Sequence, residues 1–374
     1  MDFNLTESQE MLRTSARDFL KNYYPKSLAR EMARDDKGYT DDLWQKISDM
    51  GWTGMHIPEE FGGAGGSLLD LVILLEEMGR ACLLGPFFST AVLGTYTLLE
   101  SGNTKINKEL LPRLAEGKLF VTLAFLEESG KYAREDIKVK ATPKGDSFII
   151  QGKKLFVPDA HISNYIICAA RTGAGEDGIT LFLIDSKSRG LSFSLLKTIS
   201  GDKLCEVVFD DVKVLAQNTL GEINNGWSIL YRVLEKATLA QCAGMVGAAR
   251  QQLELAVEYA KQRKAFNRPI GSFQAIQHYC SNMLVDADGC ALVLYNAAWR
   301  LSEGLPATKE VSIAKALANE SFKRIASQSL QIHGAIGFTE DHDISLYYKL
   351  GKGWEFSQGN TYFHLDKLAA ALQL

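Results

Sequence analysis

A group of residues in the last third of the chain has the chemistry to hold a phosphate-bearing ligand. Arg263 carries a planar guanidinium that can pair with two phosphate oxygens, and Phe266 follows as an apolar cover. Gln274 and Gln331 add neutral donors, and Gly334 would let a backbone approach a ligand closely. Residue types alone favour a simpler alternative, in which Arg263 lies on a solvated helix end and Gln331 is a cap.

Cysteine and histidine spacing indicates neither a metal site nor a redox motif. The six cysteines lie far apart and form no C-x-x-C pair: Cys82, Cys168, Cys205, Cys242, Cys280 and Cys290. The six histidines lack ligand spacing, and Asp341-His-Asp343 is better explained as a turn between helices. We expect no metal, and scattered thiols favour a reducing, cytoplasmic location.

Length and charge exclude several classes of protein. At about 150 residues per domain, 374 residues predict two or three domains. The hydrophobic share of 46% and the charged share of 23% are those of a globular protein. A net charge of −4 argues against general binding to nucleic acid or anionic membranes. No apolar run approaches the roughly 20 residues that span a bilayer. We therefore expect neither a nucleic-acid nor a membrane partner.

Patterning along the chain predicts an α+β fold in three parts. Residues 1–118 are helical in pattern, with capping boxes at Thr6 and Ser67. Residues 119–225 contain short β-branched and aromatic runs separated by turns, as in a β-barrel or sandwich domain. Residues 226–374 return to helical spacing, which predicts a carboxyl-terminal helical bundle.

Several strings resemble the acyl-CoA dehydrogenase family over essentially the whole chain. They are Pro58-Glu-Glu-Phe-Gly-Gly-Ala-Gly65 with Leu75-Glu-Glu-Met-Gly-Arg80, Val208–Val214 with Asn218-Thr-Leu-Gly221, Gln262–Phe266 with Ile270–Gln274, and Gln331–Phe338. Their order and spacing are specific. The resemblance implies a helical domain, a β-barrel-like domain and a four-helix bundle, with FAD lying between the last two and crossing a subunit interface.

The resemblance also assigns cofactor positions. One set would serve the FAD of a neighbouring subunit: Arg263, Phe266, Gln274, Gln331, Gly334 and Ala335. A second set would lie near the flavin ring: Phe125, Phe156, Val157, Pro158, Asn360 and Thr361. Phe156 could stack on the ring or be a plain core aromatic. Pro158 stands where the family commonly has Thr or Ser, so it offers neither a hydroxyl nor an N–H.

The family's usual proton acceptor is missing. Relatives oxidise the Cα–Cβ bond of an acyl-CoA with a Glu base in a Y-E-G-T type string, and Gln358 occupies that position here. An amide is not a usable base near neutral pH, although the backbone N–H could still polarise a thioester carbonyl. The family's second base position holds Ala237. Glu127 and Glu128 are the nearest other carboxylates by alignment, and solvated loop charges explain them equally well.

Three functions remain open at this point. The resemblance favours an FAD-dependent acyl-CoA dehydrogenase, or one subunit of a hetero-oligomeric enzyme, that passes electrons to an electron-transfer flavoprotein. The alternatives are a flavin monooxygenase of the same fold and a non-catalytic relative that binds a partner. The resemblance implies a homo-oligomer, or a hetero-oligomer with a related chain.

Overall fold

A computed structural model describes residues 4–173 and 178–373 of the chain. The amino-terminal part contains α1 (Glu7–Tyr23), α2 (Lys26–Arg34), α3 (Asp41–Asp49), α4 (Leu68–Ala81), α5 (Thr95–Ser101) and α6 (Thr104–Ala115). Both predicted capping boxes are confirmed, because Thr6 caps α1 and Ser67 caps α4 through reciprocal hydrogen bonds. Residues Leu71–Leu74 of α4 are almost fully buried, so this helix runs through the core.

The segment that follows Pro86 does not begin as a regular α-helix. Phe88–Gly94 form a π-helix that continues directly into α5. This segment lies against the first strand so closely that a Cβ on Gly94 would be 2.5 Å from the carbonyl oxygen of Val121. Wider π turns of this kind are rare and often lie beside functional sites.

The middle part is a sheet that encloses its own core. Its strands are β1 (Val121–Ala124), β2 (Lys140–Lys144), β3 (Ser147–Pro158), β4 (Tyr165–Arg171), β5 (Ile179–Asp185), β6 (Leu191–Leu196), β7 (Leu204–Leu215) and β8 (Thr219–Leu220). The order is β6-β7-β3-β2-β4-β5-β8, and β1 pairs in parallel with β4. Side chains from β1 to β5 and from β7 share one apolar cluster, which is separate from the larger core of the helical parts.

An irregularity in β3 sets the direction of one aromatic ring. The register with β7 shifts between Lys154 and Val157, and Phe156 adopts a left-handed backbone with φ 55°. Val157 is buried in the β-domain core, whereas the neighbouring Phe156 is 44% exposed. The bulge therefore turns the Phe156 ring out of the sheet.

The carboxyl-terminal part is a helical bundle. It comprises α7 (Gly226–Gln262), a small hairpin of β9 (Lys264–Ala265) and β10 (Arg268–Pro269), then α8 (Gln274–Ser302), α9 (Thr308–His333), α10 (Asp343–Phe356) and α11 (Thr361–Leu372). The predicted turn at Asp341-His-Asp343 is confirmed, with His342 capping α10. The three-part fold class expected from the sequence is thus observed. Among the described helices, none combines the length and the apolarity needed to cross a bilayer.

Candidate functional site

A cavity of about 670 Å³ lies where the three parts of the chain meet. Leu75 and Met78 of α4, Leu123 of β1, and Ala240 and Gly244 of α7 contribute to its wall. The lining is mainly apolar with a few polar groups, which is the usual character of a small-molecule site.

Three of the predicted ring-contact residues line this cavity, together with the glutamine predicted to occupy the base position. They are Phe125, Phe156, Pro158 and Gln358. The carbonyl oxygen of Pro158 accepts a hydrogen bond of 2.6 Å from Thr122, so this residue presents only apolar atoms to the cavity. Val157 points the other way, into the β-domain core, and only its backbone is left for a ligand.

Gln358 lies between α10 and α11 with a left-handed backbone, φ 59°. Its side chain is buried, and its Oε1 has no hydrogen-bond partner in the described structure. Its backbone N–H donates a 2.7 Å hydrogen bond to the hydroxyl of Tyr132. The amide that could polarise a thioester carbonyl is therefore already engaged within the chain.

Tyr132 separates the main cavity from a smaller one. The smaller cavity, of about 230 Å³, shares Tyr132 and Gln358 with the larger one and is also lined by Trp227, His364 and Lys367. The Tyr132 ring lies between Phe125 and Phe363, at centroid distances of 5.2 and 5.7 Å. Burial raises the pKa of Tyr132 to about 12, so its hydroxyl is protonated at neutral pH.

Asp159 is a buried carboxyl on the wall of the main cavity. Its Oδ2 accepts a 2.6 Å hydrogen bond from Ser89 of the π-helix. Burial raises the pKa of Asp159 to about 7, and the Ser89 hydrogen bond only partly opposes that shift. The charge of Asp202 raises this pKa further, and that of Lys203 lowers it.

Tyr132, Ser89 and Asp159 were missed by sequence reasoning. Tyr132 follows the Glu127–Lys131 loop, and Asp159 follows Pro158. The sequence offered two signals that could have found them: an aromatic residue next to the Glu127–Lys131 loop and a carboxylate next to Pro158. Their partners are 226 and 70 residues away in sequence, which local patterns do not reveal.

The other carboxylates considered from sequence do not reach the cavity. Glu127 forms an ion pair of 2.7 Å with the fully buried Lys154 and accepts the backbone N–H groups of Lys138 and Val139. Glu128 is exposed. Glu235 of α7 accepts a hydrogen bond from Thr308 of α9, so it faces away from the cavity. Ala237 is fully buried and supplies no acid.

The predicted adenine-side residues gather at one end of the bundle, outside the cavity. Tyr259 of α7 stacks on His333 of α9 at 4.5 Å, which brings the ends of these two helices together. The set at this end is Arg263, Phe266, Gln274, Gln331, Gly334 and Ala335, and all but the half-buried Gly334 are exposed. Phe266 is 89% exposed.

Two further predicted contacts are engaged within the chain. Asn360 caps α11 by accepting the backbone N–H of Phe363 at 2.9 Å. Thr361 donates its hydroxyl to Glu320 at 2.9 Å. These interactions stabilise the segment that carries Gln358, and they leave only the Asn360 amide nitrogen as a side-chain donor for a ligand.

Comparison with known proteins identifies the family. Residues 6–118, 123–212 and 224–373 match the models described as the acyl-CoA dehydrogenase N-terminal, middle and C-terminal domains. The chain belongs to the acyl-CoA dehydrogenase family.

Relatives and solved structures agree with this assignment. The 3-(aryl)acrylate reductase of Clostridium sporogenes is 34% identical, covering 92% of this chain and 93% of the relative. The caffeyl-CoA reductase-Etf complex subunit CarC of Acetobacterium woodii is 29% identical, covering 92% of both. The structure of butyryl-CoA dehydrogenase from Megasphaera elsdenii superposes with a TM-score of 0.92 at 27% identity over the whole of both chains.

Acyl-CoA dehydrogenase family members are flavoproteins, and the residues present here fit FAD unevenly. At the bundle end, no side-chain hydrogen bond or ion pair in the described structure engages Arg263, Gln274 or Gln331, so these donors are free for a diphosphate. Gly334 has a φ of 64° and open space where a Cβ would lie. At the ring end, Phe156 offers an aromatic face, but Pro158 offers no donor. Within the described parts of the chain, no cluster of His, Cys, Asp or Glu could hold a metal ion.

Proposed function

We propose that this chain is a flavin-dependent oxidoreductase that acts on the Cα–Cβ bond of an acyl-CoA thioester. The observation that carries the proposal is the apolar cavity with Phe156 on one wall and the base-position Gln358 on another. When bound, FAD would exchange a hydride with the β carbon. An electron-transfer flavoprotein is the proposed electron partner, in keeping with the name of the CarC relative.

Each FAD would be bound by residues of two subunits. Phe125 and Phe156 line the cavity in which this chain would pack the flavin ring. Arg263 and Gln331 lie on the exposed bundle end, so they would bind the diphosphate and adenine side of a neighbouring subunit's FAD. An oligomer, either of identical chains or with a related chain, follows from this division.

Gln358 makes the isolated chain a poor dehydrogenase. Removal of an α proton needs an acceptor of suitable pKa, and neither Gln358 nor Ala237 supplies one. Two arrangements remain compatible with the structure: a related partner chain that has its own Glu, or another proton-transfer group in this chain.

A spectroscopic experiment tests the proposal. The purified protein is expected to be yellow. Under anaerobic conditions an acyl-CoA should reduce its oxidised FAD, or an enoyl-CoA should reoxidise FAD that has first been reduced with dithionite. Reoxidation by oxygen coupled to substrate hydroxylation would instead favour a monooxygenase. A folded, colourless protein that takes up no FAD, alone or with a coexpressed related chain, would favour a non-catalytic role.

Replacing Gln358 separates the two arrangements. Gln358→Glu restores a carboxylate, and general-base catalysis is worth about 10²–10⁴-fold. We expect faster anaerobic oxidation of butyryl-CoA by the variant if the cavity is otherwise competent. A variant as slow as the wild type, with activity recovered only by coexpression with a related chain, would show that the partner supplies the catalytic site. Fast turnover of butyryl-, octanoyl- or palmitoyl-CoA by the isolated wild-type chain would contradict the role given to Gln358.

A further inference from the structure

We propose that Tyr132 exchanges the proton with the α carbon of the thioester, in place of the missing carboxylate. This inference rests on the proposed function and adds to it a proton donor and a preferred direction of reaction.

The position of the Tyr132 hydroxyl is the first support. It accepts the N–H of Gln358 at 2.7 Å, so it lies beside the residue that occupies the base position. The N–H of Gly359 donates instead to the carbonyl oxygen of Phe356, at 3.3 Å. The Gln358 N–H is therefore the backbone donor that contacts the Tyr132 hydroxyl.

The location between the two cavities is the second support. Tyr132 and Gln358 are shared by the 670 Å³ and 230 Å³ cavities. Tyr132 and Gln358 border both cavities, so a thioester whose carbonyl lies beside Gln358 also has its α carbon close to the Tyr132 hydroxyl. The Gln358 N–H can then donate its hydrogen bond to the thioester oxygen instead of to Tyr132. The Tyr132 phenol is left beside the α carbon.

No other ionisable group in the described structure bonds to the backbone N–H of Gln358. Glu127 is held by Lys154, and Asp159 bonds to Ser89 of the π-helix. His364 bonds through Nε2 to the carbonyl oxygen of Gln358 at 2.8 Å, and burial lowers the pKa of His364 to about 4. The imidazole is therefore neutral at pH 7 and has no proton to donate to the α carbon from its unpartnered Nδ1.

The proton step favours reduction at neutral pH. The O–H bond of Tyr132 breaks, the electron pair of the thioester enolate forms the new Cα–H bond, and the phenolate later regains a proton from water. This step is the same whichever group delivers the hydride to the β carbon. The reverse step needs a phenolate, and a phenol whose pKa is about 12 is almost wholly protonated at pH 7. We therefore expect enoyl-CoA reduction to be faster than acyl-CoA oxidation at neutral pH.

Other charged groups face the same region and must be considered in any pH profile. In the smaller cavity they are Arg134, Glu135, Tyr231, His364 and Lys367, and in the larger they are Asp159, Asp202, Lys203 and Lys352. Asp159 has a pKa of about 7, so it changes charge near neutrality and could imitate a catalytic base.

Deuterium uptake provides a test that does not depend on redox turnover. Butyryl-CoA is incubated in D₂O with the FAD-loaded, oxidised protein between pH 7 and 10, and α-deuterium is measured by mass spectrometry. We expect uptake to rise about tenfold per pH unit, since the phenolate fraction does so below its pKa. Tyr132→Phe should lower the rate by about 10²–10⁴-fold. Tyr23→Phe, which changes an exposed tyrosine of α1, is the matched control and should leave the rate unchanged.

The outcomes separate this inference from the proposed function. Calorimetry reports whether the thioester binds, and failure of the wild type to bind butyryl-, octanoyl- and palmitoyl-CoA alike would overturn the proposed function. Binding without exchange, or equal exchange by Tyr132→Phe, would overturn the role of Tyr132. A rate that levels off near pH 7 would assign the step to Asp159. This profile needs only the wild-type protein, so it decides the matter even if Tyr132→Phe does not fold.

Discussion

Asp159 and Gln358 line the same cavity, yet only the first can ionise there. Asp159 is 7% exposed, and burial favours its neutral form, which raises its pKa to about 7. Gln358 is nearly as buried, and its side-chain amide does not ionise. The cavity therefore holds one carboxyl that ionises near neutrality, Asp159, and one uncharged amide at the predicted base position, Gln358.

Asp159 should reduce the stability of the fold as the pH rises. Its folded-state pKa of about 7 lies above the unfolded value near 3.9, so the protonated carboxyl favours folding and this contribution is lost between about pH 4 and 7. Asp159→Asn cannot ionise and keeps an acceptor for Ser89. We expect its free energy of unfolding relative to wild type to be about 1–3 kcal/mol more favourable at pH 8 than at pH 5.

Urea denaturation at the two pH values measures this difference. Asp210→Asn, which changes an exposed carboxyl of β7, is the control and should show no comparable pH dependence. Equal effects of the two substitutions at both pH values would contradict the raised pKa of Asp159.

The crossing of α4 and α7 holds the amino-terminal part against the bundle. A Cβ on Gly247 of α7 would be 1.7 Å from the carbonyl oxygen of Glu76 of α4, and one on Gly79 would be 2.0 Å from that of Gly244. Arg250 of α7 forms an ion pair with Glu76 beside this contact. The two helices therefore approach closely only because glycines lie at the crossing, and both helices contribute to the cavity wall.

Gly247→Ala should be strongly destabilising. The added methyl group would meet backbone, which cannot move aside as a side chain can, so we expect a loss of about 3 kcal/mol or more. Gly289→Ala on α8 is the matched control, because a Cβ there meets nothing within 4 Å. Helix propensity makes this control neutral or up to about 1 kcal/mol stabilising. Thermal or urea unfolding of both variants checks the contrast, and equal stabilities would disprove the close crossing.

The whole molecule leaves apolar side chains exposed on the bundle. Phe266, Phe338, Phe356 and Tyr362 are each more than 60% exposed. Exposed aromatic side chains of this kind are typical of interaction surfaces. Phe356 also lines the main cavity, whereas Phe266 and Phe338 lie in the segments that follow Arg263 and Gln331. We propose that this end of the bundle meets another subunit and its FAD.

Arg263→Ala should weaken FAD binding without unfolding the chain. A charge-assisted hydrogen bond to phosphate is worth about 1.5–3 kcal/mol, which corresponds to about 10–150-fold in affinity. Lys261→Ala is the control, since this neighbouring exposed cation pairs with Glu258. Fluorescence titration measures FAD affinity, and light scattering is expected to show at least a dimer. Unchanged FAD affinity in Arg263→Ala would remove this residue from the site, and a strict monomer with full FAD occupancy would contradict the shared cofactor.

Sequence patterns were sufficient to predict the order of the three parts and the family, whereas the assignment of Gln358 to the base position stays a prediction. Hydrophobic spacing and the caps at Thr6 and Ser67 act within one or two helical turns, so they can be detected without the fold. The motif that carries Gln358 is likewise local. The FAD contacts around Arg263, the domain boundaries and the cytoplasmic location stay predictions.

The groups that meet at the cavity are brought together by the tertiary fold and could not be identified from the sequence. Tyr132 reaches Gln358 across 226 residues of sequence, Ser89 reaches Asp159 across 70, and Lys154 removes Glu127 from consideration across 27. These pairings depend on how the β domain packs against the helices on either side, and no local spacing encodes that packing. The same burial shifts the pKa values of Tyr132 and Asp159, because desolvation exists only once the chain has folded.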